Sequence, residues 1–205
     1  MTVSKRNNNE AQRMSLDAAL DVLARRREEQ VVVGTMTANG AWRQKSPHDL
    51  NLACIGFMGG ASTLGLGVAL AQPERDVWII DGDGSLMMQL GSLGTIAGAA
   101  PSNFLHIVIH NGVYETSGSQ PLPSQQQVDF AQMAEGAGYA QTATFGDAEE
   151  FDAAIDELLA AEGPTLIQLY TRPADRFYSA RPTPPGITPA LARMWPPVAE
   201  ALAKD

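Results

Sequence analysis

Apolar residues recur along this chain in two periods, and their alternation outlines a fold. Leu16, Leu20 and Leu23 fall at helical spacing behind Ser15, a residue suited to N-capping, which predicts a helix from 16 to about 30. The β-branched run at 31–33 stops at the Gly, Thr and Asn of GTMTANG, which predicts a buried strand leading into a polar loop. Small residues crowd GFMGGASTLGLGVALA at 56–71 and predict a tight turn followed by a closely packed helix. DVWIID at 76–81 and FLHIVIH at 104–110 predict two further buried strands, with a glycine-containing helix over 86–99 between them. Beyond a polar stretch, the pattern predicts a helix over 130–137, a short strand over 142–145, an amphipathic helix over 148–161 and a last strand over 165–170. Strands alternating with helices imply an α/β fold, a doubly wound and mostly parallel sheet with helices on both faces.

A length of 205 residues suits one such domain. Its expected bounds are 15–171, preceded by a polar, Asn-rich stretch at 1–14 expected to be disordered. The proline-rich tail at 172–205 is expected to run as an extended arm into a short terminal helix near 189–202.

Charge and cysteine usage narrow the function. A formal net charge of −9, with no basic run longer than Arg25–Arg27, removes the electrostatic footprint of a nucleic-acid binder. An anionic ligand must then be held locally. The single cysteine, Cys54, excludes an intrachain disulfide and a cysteine-based iron–sulfur or zinc site within this chain, and its simplest role is that of a small buried hydrophobe. No apolar stretch approaches the roughly 20 residues needed to span a bilayer, and the amino terminus lacks a signal-peptide core, so the expected location is the cytoplasm with no membrane partner.

In open α/β sheets, ligands bind beyond the carboxyl ends of the strands. The strand DVWIID runs straight into Gly82-Asp83-Gly84-Ser85 and a helix, so backbone N–H groups at that helix start can face an anion. Asp83 would repel a bare diphosphate there unless a hard divalent cation lay between them, which implies magnesium. A second ligand should come from a neighbouring strand end. Asn111 follows FLHIVIH, 28 positions after Asp83, and Gly112-Val113 let the chain turn so that a main-chain oxygen can also face the metal. Read alone, Asp83 could equally be a helix cap, and Met58 a core gap-filler. His106 and His110 share a strand face, where histidines are usually satisfied core residues.

These residues carry a resemblance. GDGSLMMQLGSLGTIAGAAPSNFLHIVIHNG resembles the cofactor motif of the thiamine-diphosphate enzymes. GFMGGAS at 56–62 and NGVYETSGSQP at 111–121 are similar to segments of phosphonopyruvate decarboxylases and of the beta subunit of sulfopyruvate decarboxylases. The likeness covers about 31–170. It implies thiamine diphosphate and Mg2+ as cofactors, with Asp83, the Asn111 side chain and the main-chain oxygen of Val113 on the metal. Gly84, Ser85 and Thr37 would hold the diphosphate, Tyr114 would join the cofactor site, Met58 would wedge beneath the cofactor, and the Gly56 carbonyl would accept from its amino group. His110, Ser117 and Gln120 are the substrate candidates. Two departures from the family pattern stand out, His110 in place of an Asn and Gly60 where relatives often have His.

The resemblance also implies a missing part, the glutamate that activates the cofactor. The family supplies it from a second, pyrimidine-binding domain, so a partner chain and a hetero-oligomer are expected. The implied activity is decarboxylation of a small anionic 2-oxoacid, sulfopyruvate or phosphonopyruvate, to an aldehyde and CO2. The alternatives are a subunit of an acetolactate-synthase-like carboligase, or a non-catalytic thiamine-diphosphate-binding module. On this reading Asp83 sits on a surface loop, and Asp83→Ala should remove cofactor binding and leave the fold intact.

Overall fold

The computed structural model describes residues 3–4, 13–123, 127–173 and 197–203. Seven parallel strands form one sheet in the order β1-β8-β9-β5-β4-β2-β3. They are β1 (Val3–Ser4), β2 (Val31–Thr35), β3 (Asn51–Cys54), β4 (Val77–Gly82), β5 (Phe104–His110), β8 (Gln141–Phe145) and β9 (Thr165–Tyr170). Two further short strands, β6 (Val113–Tyr114) and β7 (Gln120–Pro121), pair antiparallel as a hairpin above the sheet. All five strands read from the sequence are present.

Helices cover both faces, as fully buried parallel strands require. One core packs Val31, Val33, Leu52, Ile79, Phe104 and Leu166 under α3 (Ala61–Ala71), α5 (Ser92–Ala99) and α6 (Phe130–Ala137). The other packs Val32, Ile80, Ile107, Ile109, Ile167 and Leu169 under α1 (Leu16–Ala24), α2 (Met36–Lys45) and α7 (Ala148–Ala160). Alternate residues of each strand serve opposite cores, the period-2 signature that the apolar runs carry.

Three local differences from the sequence pattern have physical causes. The GTMTANG segment is no loop: β2 ends at Thr35 and α2 begins at Met36. Burial of Ala38, Ala41 and Trp42 against the sheet outweighs the weak helix propensity of Asn39 and Gly40. Trp42 Nε1 donates to Asn51 Oδ1 at 2.9 Å, which docks α2 on β3, a four-residue strand too short to show a period. The helix expected over 86–99 is split into α4 (Asp83–Met87) and α5, with a turn at 88–91. The first helix stops at Ala24, short of 30.

Of the stretch at 1–14, Val3–Ser4 pair with β8 and Met14 bridges Thr171, and the rest apart from Arg13 lies outside the described residues. The proline-rich arm lies outside them from 174 to 196, while 197–202 is helical and buries Val198 in the first core. Among the described residues no helix is long and apolar enough to cross a membrane.

The chain leaves β2 toward β3 on one side and then returns to β4 on the other. The element after β2, α2, goes to one face, while α4 and α5, after β4, go to the other. This reversal opens a crevice at the carboxyl tips of β2 and β4, where ligands bind in such sheets.

Helix α3 approaches the sheet at Gly65, where an added Cβ would lie 2.6 Å from Ile79 Cγ1 and 2.8 Å from its Cδ1. Gly65→Leu should therefore overpack this contact and destabilise the chain by about 1–3 kcal/mol. A lower urea midpoint at unchanged m-value checks it, whereas a midpoint equal to wild type would refute the tight approach.

Candidate active site

A cleft of about 530 Å³, its open mouth included, lies at the crevice. Its walls come from the β2–α2 junction (Thr35, Thr37), the β4–α4 junction (Gly82, Asp83, Gly84, Ser85), the β5 tip (Ile109, Asn111) and the hairpin after it (Val113, Tyr114, Glu115). Met58, Thr171 and Arg172 also line it. The volume is within the range of small-ligand sites.

Asp83 ties two strand tips together. Its Oδ1 accepts from the Gly84 N–H at 2.7 Å and its Oδ2 from the Gly112 N–H at 2.6 Å, and the residue is only 2% exposed. Gly112 reaches that position with φ of +79°, a conformation glycine adopts without penalty. The turn is completed by Asn111 Oδ1, which accepts from the Val113 N–H at 2.9 Å. Asp83 therefore holds the β4 and β5 loops in register. The surface-loop position expected for Asp83 is not what the structure shows: the residue is buried, and Asp83→Ala would leave buried backbone donors without their acceptor.

Burial pushes the Asp83 carboxyl up to about 7, despite the N–H groups of Gly112 and Gly84 that pull it down, and the charge of Glu115 adds to the rise. A carboxylate in this setting calls for a cation. The available donors are hard oxygens, and each Asp83 oxygen and Asn111 Oδ1 keeps a lone pair beyond the one already used. Among the described residues no group of three or more His, Cys, Asp or Glu could hold a metal. That composition suits magnesium, which is held by one or two protein oxygens with phosphate and water completing its octahedron, and it does not suit zinc.

An anion cradle surrounds this point. The first helix, α1, is capped by Ser15 Oγ, which accepts from the Ala18 N–H at 3.1 Å. By contrast α2 has no side-chain cap, because Thr35 Oγ1 donates to the Cys54 carbonyl at 2.9 Å. Its first N–H groups are left for a ligand beside Thr37. Met36, also in the wall, has φ of +47°, a strained conformation for a side chain of its kind. Ser85 Oγ accepts from the Gly59 N–H at 3.0 Å, which leaves its own proton to donate. An added Cβ on Gly82 would meet open space in the cleft, and one on Gly84 would lie 2.5 Å from the Tyr114 ring, so both glycines keep the floor low.

The structure thus gathers Thr37, Met58, Asp83, Gly84, Ser85, Asn111, Val113 and Tyr114 around one cleft. Gly56 lies outside the lining, exposed on the turn before Met58 with φ of +98°. Ser117 and Gln120 sit exposed on the hairpin and do not line the cleft. His110 is 1% exposed, packed edge-on to Phe130 and against Tyr170, with Nε2 3.9 Å from Asp83 Oδ2. It backs the carboxylate from beneath and does not reach the cleft. His106 is buried with Nδ1 3.3 Å from the Tyr139 hydroxyl and Nε2 3.4 Å from Asp81 Oδ2. Cys54 is fully buried, and desolvation pushes its thiol up to about 11.

Sequence reasoning missed Glu115, Thr116, Thr171 and Arg172. The last two follow β9 directly, and the strand-tip rule would have found them.

The description "Thiamine pyrophosphate enzyme, C-terminal TPP binding domain" matches residues 32–169. Phosphonopyruvate decarboxylase of Streptomyces hygroscopicus is 42% identical over 134 residues, 65% of this chain and 33% of that protein. Sulfopyruvate decarboxylase subunit beta of Methanocaldococcus jannaschii is 36% identical over 135 residues, 66% of this chain and 71% of that protein. The chain thus aligns with about a third of the first relative and most of the second. The solved thiamine diphosphate-dependent 4-hydroxybenzoylformate decarboxylase of Rhodococcus jostii shares the fold, with a TM-score of 0.63 over 84% of this chain and 34% of that one, at 21% identity. Family match, fold and cleft agree, and the chain belongs to the thiamine pyrophosphate enzymes, carrying their C-terminal TPP-binding domain.

Proposed function

We propose that this chain holds the diphosphate of thiamine diphosphate through one magnesium ion bound by Asp83, the side-chain oxygen of Asn111 and the main-chain oxygen of Val113. It serves as one of two chains of a 2-oxoacid decarboxylase acting on sulfopyruvate- or phosphonopyruvate-like substrates. The observation that carries the reading is the meeting of Asp83 and Asn111 at adjacent strand tips, on the wall of one cleft with the uncapped start of α2.

Each residue has a task in this reading. Asp83 and Asn111 supply hard oxygens of opposite cost: the carboxylate needs the cation, and the neutral amide adds a ligand without adding charge. Thr37, the α2 N–H groups and the Ser85 hydroxyl donate to phosphate oxygens. Met58 fills the apolar side, where an aromatic body would lie. When bound, the cofactor supplies the electron sink that lets a 2-oxoacid lose CO2. The carboxylic acid that activates it would come from the partner, consistent with the name "subunit beta" of the Methanocaldococcus jannaschii relative. Release of CO2 from sulfopyruvate or phosphonopyruvate by the assembled pair tests the substrate, and absence of release from both would remove it.

Asp83→Asn keeps the side-chain size, loses the charge and retains one of the two acceptor oxygens. Calorimetry with thiamine diphosphate and Mg2+ should show binding to wild type and at least a hundredfold weaker binding to the variant, and equal affinities would refute the metal assignment.

Proton linkage gives a second check. The unfolded Asp titrates near 4 and folded Asp83 at about 7, so the folded chain binds the extra proton between those values. Stability of the metal-free chain should therefore fall as pH rises from about 4 to about 7. Urea midpoints should show this fall in wild type, less of it with Mg2+, and none of this component in Asp83→Asn. Superimposable profiles for the two proteins would contradict it.

A further inference from the structure

We infer that Thr171 and Arg172, at the tip of β9, hold the terminal phosphate of the diphosphate, a contact that no motif in the chain announces. The inference rests on reading the cleft as a diphosphate site.

The register fixes where these residues stand. β5 and β9 align His110 with Tyr170, and the Thr171 N–H donates to the His110 carbonyl at 3.1 Å. Thr171 is therefore the neighbour of Asn111 across the strand tips. Along β9, Ile167 and Leu169 face the core shared with Ile107 and Ile109, and strand alternation carries Thr171 and Asn111 onto that same side. Both line the cleft.

Two observations point to a ligand. Thr171 is 0% exposed, and its Oγ1 has no hydrogen-bond partner among the described residues. A buried hydroxyl in that condition is unfavourable unless something in the cleft completes it, and it can donate to a phosphate oxygen. Arg172 follows, its backbone held by the N–H that donates to the Met14 carbonyl at 3.0 Å, while its side chain is exposed at the cleft wall. Among the described residues of that wall it is the one Lys or Arg, in a chain of net charge −9 and in a cleft that Asp83 and Glu115 also line. A guanidinium matches phosphate geometry with paired N–H donors.

Strand order decides which part of the ligand they meet. β9 lies outside β5 on one side of Asp83 and Asn111, and β3, which leads to Met58, lies on the other. An ester with an apolar body and a diphosphate tail then sets its body toward Met58. The free end of its tail would then reach the β9 tip.

The test uses the full chain with Mg2+ and thiamine diphosphate, read by calorimetry and by the 31P spectrum of the bound ligand. Arg172→Gln should weaken binding about tenfold with an unchanged melting temperature. Thr171→Val, which swaps the hydroxyl for a methyl of the same shape, should weaken it several-fold without lowering the melting temperature. In both variants the terminal phosphorus resonance should move and the ester phosphorus hold its position. Wild-type affinity in both variants, or movement confined to the ester phosphorus, would overturn this inference and leave the diphosphate reading in place. Failure of the wild-type chain to bind would remove both.

Discussion

The site depends on one arrangement, a carboxylate buried between two loops and fastened by their backbone N–H groups. Asp83 accepts from Gly84 on its own loop and from Gly112 on the next, so the β4 and β5 tips cannot separate without breaking a charge-assisted bond. That bond is made at a cost. Desolvation outweighs the backbone N–H donors of Gly112, Gly84 and Asn111 and drives the carboxyl toward its neutral form. In the proposed reading a bound cation would meet that charge and offset the cost of burying it.

Everything else positions this pair. The reversal of chain direction between β2 and β4 opens the crevice, and the two cores hold it rigid from opposite faces. Beneath the loops lies a buried polar layer. Asp81 accepts from the Gly82 N–H at 2.9 Å and faces His106, which in turn meets Tyr139. The imidazole meets the tyrosine hydroxyl through Nδ1, while Nε2 and Asp81 Oδ2 face each other at 3.4 Å without completing a hydrogen bond. The glycine that opens the motif is thereby held from below, while Asp83 is held from the side.

Legibility in the sequence followed burial. The run FLHIVIH coincides with β5 residue for residue because all seven positions are buried and nothing local competes. That Asp83 and Asn111 meet at one cleft was readable because the β-α-β unit imposes the spacing that sets them at adjacent strand tips. Segments decided by tertiary contact were not. Asn39-Gly40 reads as a turn until Gly34 lets α2 settle close, with Asn39 atoms 3.0 Å from where a Cβ would be. Thr171 and Arg172 belong to no motif, and their significance comes only from which strand β9 pairs with. The buried, two-donor character of Asp83 was likewise invisible, since a loop position in sequence does not report exposure.

The departure at Gly60 shows how a local exception can be structural. An added Cβ there would lie 2.1 Å from the Phe57 ring, so any larger residue requires that ring to leave. Phe57 is 46% exposed and sits immediately before Met58, the apolar wall of the cleft. Positions 57 and 60 are therefore coupled through space on the turn that carries Met58, and a chain with histidine at 60 must place its aromatic ring elsewhere. The residue that looked like an isolated loss is one half of a packed pair.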